Sequence, residues 1–225
     1  MSEVIVTRAL TEKTSIARAA VYRFMSRCFS HPDVELIQIF DSTALKEFLQ
    51  CWSDLGLEHP ANVDTAINWL SKWSNHETAL LELDKEYTHL FISAYPRVVA
   101  PPYSSLYLSS EKLIWGNSTA DVAKMYEAAG LTMSEGYHDV PDHISAELEF
   151  ASYLIAEQLK SDEQGSPASE QLLALEKRLL TEHIYKWAPD FFNRVVEYSM
   201  MTFYGMMAGL ANRFTEWDIA YINRN

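Results

Sequence analysis

Apolar residues recur at steps of three and four along almost the whole chain, with polar residues filling the positions between them. That spacing is the stripe of an amphipathic helix, and nowhere do β-branched residues alternate over a strand length. Ala17, Ala20, Val21, Phe24, Met25 and Cys28 predict a first helix opening at Thr14 or Ser15 and ended by Ser30-His31-Pro32. Runs from Val34 to Phe40 and from Ala44 to Leu55 continue the pattern, with Gly56 as a C-terminal stop. Asn62 or Asp64 is placed to cap a helix carrying Ile67, Leu70 and Trp73, and Thr78 to Ala94 forms the next, with Leu80, Leu81, Leu83, Tyr87, Leu90 and Phe91 on its apolar face.

Further along, Ser118-Thr119-Ala120-Asp121 reads as a capping box and Gly130 as the end of the helix it opens. Pro141 suits the first turn of a helix running past Tyr153 to the polar connection 161–167. Ser169 opens a helix to about Tyr185, and Trp187-Ala188-Pro189 starts a last long one through Phe191, Val195, Tyr198, Met201, Met206 and Leu210. No repeat of solenoid period occurs. The pattern predicts a single all-α domain of about nine or ten helices over residues 15–225, behind a flexible tail at residues 1–14 that lacks a periodic apolar face.

Two stretches interrupt the helical pattern. Pro96, Pro101 and Pro102 bar a helix in the first, which runs from Tyr95 to Tyr107, because proline lacks an N–H and biases its predecessor toward extended backbone. Tyr95, Tyr103 and Tyr107 in or beside that loop imply that it packs against something. The second stretch runs from Gly136 through His138, Asp139, Pro141 and Asp142 to Phe150.

Composition narrows the function. A net charge of −13 excludes the phosphate neutralisation that nucleic-acid binding needs, and favours a basic partner. Cys28 and Cys51 form no C-x-x-C pair, so neither a disulfide framework nor a zinc site is indicated. Residues 1–14 contain no apolar leader core, and Tyr198 to Ala211, the least polar stretch, is too short to span a bilayer. A cytoplasmic chain without membrane insertion is expected.

The densest candidate chemistry is Asp142-His143 with Glu147, because residues four apart share a helix face and Asp142 falls in the first turn. Such a group suits a cationic guest. The plainer reading is that Asp142 complements the helix dipole while His143 and Glu147 pair on a solvated face. A metal site is not expected, since no two histidines have the spacing of a helical site. Phosphate-binding loops, nucleophile elbows and catalytic-cysteine contexts are missing from the sequence, and no enzymatic activity is expected. Met200, Met201, Met206 and Met207 fit either core filling or an adaptable peptide surface, and Trp69, Trp73 and Trp115 are open in the same way.

Taken in order, these pieces resemble the TorD/DmsD family of redox-enzyme maturation chaperones. The likeness rests on Glu86-Tyr87 to Leu90-Phe91, on Pro101-Pro102-Tyr103-x-Ser105-x-Tyr107, and on Trp115-Gly116. It continues through Ala129-Gly130-Leu131, Pro141-Asp142-His143, Glu147-Leu148-x-Phe150 and His183-x-x-x-Trp187-x-Pro189-x-Phe191, covering about residues 15–215. Asp139-Val140 stands where many relatives have Glu-Pro, a departure at the helix entry.

The resemblance implies an all-helical cytosolic chaperone, monomeric or dimeric. Its partner would be the twin-arginine signal peptide and apo-precursor of a molybdopterin-containing reductase of the dimethyl-sulfoxide or trimethylamine-oxide type. Peptide binding then falls to Asp142, His143 and Glu147 with Tyr103, Ser105, Tyr107, Trp115, Gly116, Pro141 and Phe150. No cofactor is expected; the resemblance leaves guanine nucleotide open, although this sequence offers no phosphate cradle for it. A nucleotide-binding or hydrolysing enzyme on the same helices is the alternative, and a purely structural subunit a third.

Overall fold

The computed structural model describes residues 3–40, 42–73, 75–94, 97–109, 113–132, 140–199 and 203–224. Among these it contains helices and one isolated antiparallel bridge, Tyr103 to His143, but no strand. The helices are α1 (Glu3–Phe29), α2 (Val34–Ile39), α3 (Thr43–Asp54), α4 (Ala61–Leu70), α5 (His76–Tyr87), α6 (Ser105–Leu108), α7 (Asn117–Ala128), α8 (Ile144–Glu163), α9 (Ala168–Arg178), α10 (Tyr185–Tyr198) and α11 (Phe203–Ile222). A wide π-helical turn, Thr88–Ile92, prolongs α5, and another, Leu179–Ile184, joins α9 to α10 in one rod, so the eleven α-segments form ten continuous helices. The expected all-α architecture is therefore the observed one.

Short polar side chains define several helix starts. Asp33 accepts from the amide of Leu36 at 2.9 Å, Ser42 from Ala44 at 3.2 Å and Asn75 from Thr78 at 2.8 Å, each satisfying an amide that the helix leaves open. Gly130, at φ 75°, ends α7 in the left-handed region, as its position predicts.

Other expected boundaries move. α1 begins at Glu3, not at Thr14 or Ser15; from residue 11 onward, where burial is described, Thr11, Glu12 and Lys13 are exposed and Ser15 is the first buried residue. Asn62 and Asp64 do not cap α4, which starts after Pro60; the Asn62 amide instead donates to the Met206 carbonyl at 2.9 Å and ties α4 to α11. Gly116, not Ser118, stands at the start of α7, because the Ser118 hydroxyl is engaged by Ser104. Ser169 lies inside α9, with its hydroxyl donated to Asp162. The stop expected near Tyr185 is absent: the π-turn Leu179–Ile184 runs straight into α10, and Pro189 lies inside the continuous helix. The long last helix is divided, α10 ending at Tyr198 and α11 starting at Phe203.

The α10–α11 corner is tight. A Cβ on Gly205 would come within 1.8 Å of Ser199 Oγ, so only glycine allows this approach.

The core is built around α1 and α8, which pack along each other, with α10 and α11 as a second pair against them. Two serines stitch the first pair: Ser26 Oγ donates to the Ser145 carbonyl and Ser152 Oγ to the Ala19 carbonyl, both at 2.8 Å. Aromatic rings fill the space between the pairs, with Phe29 against Phe191 and Phe192, Tyr22 against Phe214, and Phe91 against Tyr204. Met206 and Met207 are buried in this core, which favours filling over a peptide surface; Met200 and Met201 lie outside the described residues.

One charged cluster crosses the core. Arg18 of α1 donates through Nε to Asp218 of α11 at 2.5 Å and pairs with Glu176 of α9 at 2.8 Å. The hydroxyls of Tyr22 and Tyr185 donate to the same Asp218 carboxylate at 2.5 and 2.7 Å. Arg18 interrupts an apolar stripe, and its burial is tolerable only because every partner is in place. The cluster joins the first helix to the last.

Candidate functional site

The start of α8 and the segment Pro101–Leu108 form one unit. Pro141 and Asp142 precede the helix instead of lying in its first turn, and His143 is its cap, with Nδ1 accepting from the Ser145 amide at 3.2 Å and facing Ser145 Oγ at 2.7 Å. Asp142 therefore holds the neighbouring segment. Its Oδ2 accepts from the Ser105 amide at 2.8 Å and lies 3.4 Å from Ser104 Oγ, while its carbonyl accepts from the Ser104 amide at 3.0 Å. The Ile144 amide donates to the Pro102 carbonyl at 2.8 Å, and the Tyr103 ring meets His143 edge-on at 5.4 Å. The segment expected as a loop is irregular to Ser104 and closes with one helical turn, α6.

Glu147 lies one turn into α8. It is fully buried, with Oε2 accepting from Trp187 Nε1 of α10 at 2.9 Å. Burial pushes its carboxyl up to about 8; Trp187 and the nearby Ser104 hydroxyl oppose this as donors, and the charge of Asp142 reinforces it. The solvated face of the plainer reading is thus excluded: Asp142, His143 and Glu147 are 0%, 2% and 0% exposed. Asp142 Oδ1, Glu147 Oε1, Ser105 Oγ and Thr119 Oγ1 are buried without a hydrogen-bond partner among the described residues.

The structure also places the remaining expected residues. Pro141 is buried, its carbonyl accepting from Tyr126 OH at 2.9 Å, and Phe150 packs edge-on against Tyr126 at 4.4 Å. Tyr107 is half-buried between Trp187, 5.2 Å away, and the Arg194 guanidinium, 5.4 Å above its ring. Gly116 lies against Ser105, and Trp115 beside it is 72% exposed with Leu113 and Ile114 also exposed. Trp115 has φ 69°, the one non-glycine residue in the left-handed region among those described. Tyr95, Pro96 and the stretch from Gly136 to Asp139, with His138, lie outside the described residues.

Several participants carried no clear sequence signal. Ser104 and Ser118, 2.9 Å apart, link the acid pair to α7 although nothing in their spacing marks them. Trp187 appeared in the motif pattern, but its donation to Glu147 spans 40 residues. Beyond Ser118 a polar cleft of about 460 Å³ opens, lined by residues that include Asp121, Lys124, His183 and Lys186. The π-turn sets His183 into its wall, 3.0 Å from Asp121, which also pairs with Arg178. Partial burial acts to raise the Asp121 pKa, but these two donors outweigh it and hold the carboxyl below the usual range.

A family model described as nitrate reductase delta subunit matches residues 57–193, a span that contains Asp142, His143, Glu147 and the other site residues expected from the sequence. The chain belongs to that family, the TorD family. Similar TorD family members include proteins named chaperone protein TorD from Aliivibrio salmonicida, 25% identical over 206 residues with 91% of this chain and 94% of the relative covered, and from Vibrio cholerae, 27% identical with 89% and 90% covered. A solved structure titled as a putative redox enzyme maturation protein from Archaeoglobus fulgidus superposes with a TM-score of 0.53 at 27% identity, covering 88% of this chain and 93% of that one. The TorD family membership read from the motifs thus stands, and these relatives, named as chaperones, give no support to the hydrolytic alternative. Among the described residues of this TorD family chain, no helix is long and apolar enough to cross a membrane.

Proposed function

We infer that the chain is a non-enzymatic chaperone of redox-enzyme maturation, and we propose that the part of its client it holds is a twin-arginine leader. The client is the cytoplasmic precursor of a molybdopterin-containing reductase, kept from export until its cofactor is inserted. One observation carries the leader reading: two fully buried carboxyl groups, Asp142 and Glu147, keep unpartnered oxygens and have no lysine or arginine paired with them among the described residues. A guanidinium supplies donors in a planar fork that fits such acceptors. Leu113, Ile114 and Trp115, exposed just ahead of Gly116, which lies against Ser105, offer an apolar surface for the hydrophobic stretch that follows the arginines in a leader. The strained Trp115 backbone supports a functional reason for that exposure, because a bulky residue at positive φ costs free energy that packing does not return.

Titration calorimetry with a synthetic twin-arginine leader tests this. Asp142→Asn should weaken binding by about 1.5–3 kcal/mol, the range for hydrogen bonds to charged groups, and replacing both peptide arginines by lysine should also weaken it. A folded Asp142→Asn protein that binds the leader as tightly as the parent would remove Asp142 from the site.

A further inference from the structure

The cluster beneath Pro101–Leu108 has more acceptors than protons to share. Ser104 Oγ faces Ser118 Oγ at 2.9 Å and Asp142 Oδ2 at 3.4 Å, and nearby Glu147 keeps Oε1 buried without a hydrogen-bond partner. A hydroxyl carries one proton, so Ser104 serves one of these neighbours and must accept from the others. Asp142 and Glu147 are both fully buried, each with an unpartnered oxygen and no lysine or arginine paired to it among the described residues, and two like charges so placed are costly without a cation between them. One added proton resolves the arrangement. A neutral Glu147 removes the repulsion, and the Asp142 carboxylate still accepts from the Ser105 amide and faces Ser104 Oγ.

The same carboxylate fastens the segment above it. Ser105 N and Ser104 Oγ on Asp142 Oδ2, Ser104 N on the Asp142 carbonyl and Ile144 N on the Pro102 carbonyl hold Pro102–Ser105 against the start of α8, and Ser104 Oγ also faces Ser118 of α7. We propose that Pro101–Leu108 is a proton-dependent latch over the start of α8, shut while the Asp142–Glu147 pair carries one proton and loosened when that proton is lost. Loss of the proton sets two anions against each other under the segment, and the relief available to them is hydration, which requires it to lift. The inference goes beyond leader binding, because the latch is a property of the free chain.

Other charged groups leave the pair as the seat of the effect. α10 presents Trp187 to Glu147 and, across the Tyr107 ring of α6, Arg194 and Asp190. α7 presents Asp121, bound to Arg178 and to His183 of the π-turn. α1 presents Arg18, held by Asp218 and Glu176, and α8 itself begins with His143, whose Nδ1 faces Ser145. Of these ionisable groups, Asp142 is the one that acts on Glu147 through its charge.

Hydrogen exchange measured from pH 6 to pH 9, with intrinsic rates divided out, tests the latch. Protection of the Ser105 and Ile144 amides should fall at least tenfold across that range in the parent protein. Glu147→Gln, which keeps a neutral side chain at every pH, should hold protection constant, whereas Glu86→Gln, at a second buried carboxyl, should lose it as the parent does. Protection independent of pH in the parent, or lost equally in Glu147→Gln, would overturn the proposal. If Glu147→Gln does not fold, carboxyl-carbon NMR of the parent decides: a glutamate that titrates together with the Ser105 amide shift, and persists in Glu86→Gln, upholds the latch, and an amide shift that follows no glutamate overturns it. None of these readouts uses the leader, so a failed latch and a failed leader site are told apart.

Discussion

Replacing Trp115 by glycine and by alanine separates strain from binding. Trp115 is 72% exposed, so 28% of its surface is covered; for a side chain of about 250 Å² that is roughly 70 Å², or under about 2 kcal/mol of burial at ~25 cal/mol per Å². Either substitution loses this contact. At φ 69° an L-residue spends about 1–2 kcal/mol that glycine does not, while glycine costs about 0.5–1 kcal/mol through the greater freedom of the unfolded chain. The glycine variant should therefore be more stable than the alanine variant by up to about 1.5 kcal/mol, or up to about 3–6 °C in Tm for a chain of this size. Both should lose the same leader affinity, about 2 kcal/mol or roughly 30-fold if Trp115 is an anchor of the interface. Thermal melts and leader titrations on the two variants read out the two effects independently. Alanine more stable than glycine by about 0.5–1 kcal/mol would show that the backbone stores no strain there, and parent-like affinity in both would move the apolar docking surface elsewhere.

The Arg18–Asp218 cluster should be essential to stability: Asp218→Ala leaves Arg18, Tyr22 and Tyr185 facing a lost partner and should cost about 3–5 kcal/mol in urea denaturation. A loss below about 1 kcal/mol would mean that the cluster holds nothing together. Stability should also fall as pH rises from about 4.5 toward 8. Glu147 and Glu86 are both pushed by burial from 4.5 to about 8, so the folded chain binds more protons than the unfolded chain across that window. Urea midpoints that rise over the same interval would contradict this, and Asp121, held below its usual range, works in the opposite sense only at more acid pH. Removing residues 1–13 should leave unfolding cooperative, because Thr11, Glu12 and Lys13 are exposed and Ser15 is the first buried residue among those of α1 whose burial is described; loss of the cooperative transition would place part of the core in that segment.

Local pattern was enough for what depends on neighbours in sequence. The stripe through Val21, Met25 and Cys28, the stop at Gly130 and the absence of strand alternation define helices because backbone hydrogen bonding and one buried face act within a few residues. Family membership was legible for a similar reason, since Pro101 to Tyr107 and Pro141 to Phe150 keep their residues in a set order. Helix ends were less legible where a capping side chain found a better partner across space, as Ser118 did in Ser104, Asn62 in Met206 and Ser169 in Asp162. The acid pair was visible as a spacing, but its burial was not. Whether Asp142 and Glu147 face water or lie dry depends on Pro102–Ser105 folding over α8 and on Trp187 arriving from α10, contacts between residues about 40 positions apart. The Arg18–Asp218 pair, 200 residues apart, had no local sign beyond a charge on an apolar stripe. Periodicity reports the face a helix buries, whereas a polar group's protonation and access depend on which other faces close over it, and in this chain tertiary packing alone decided that.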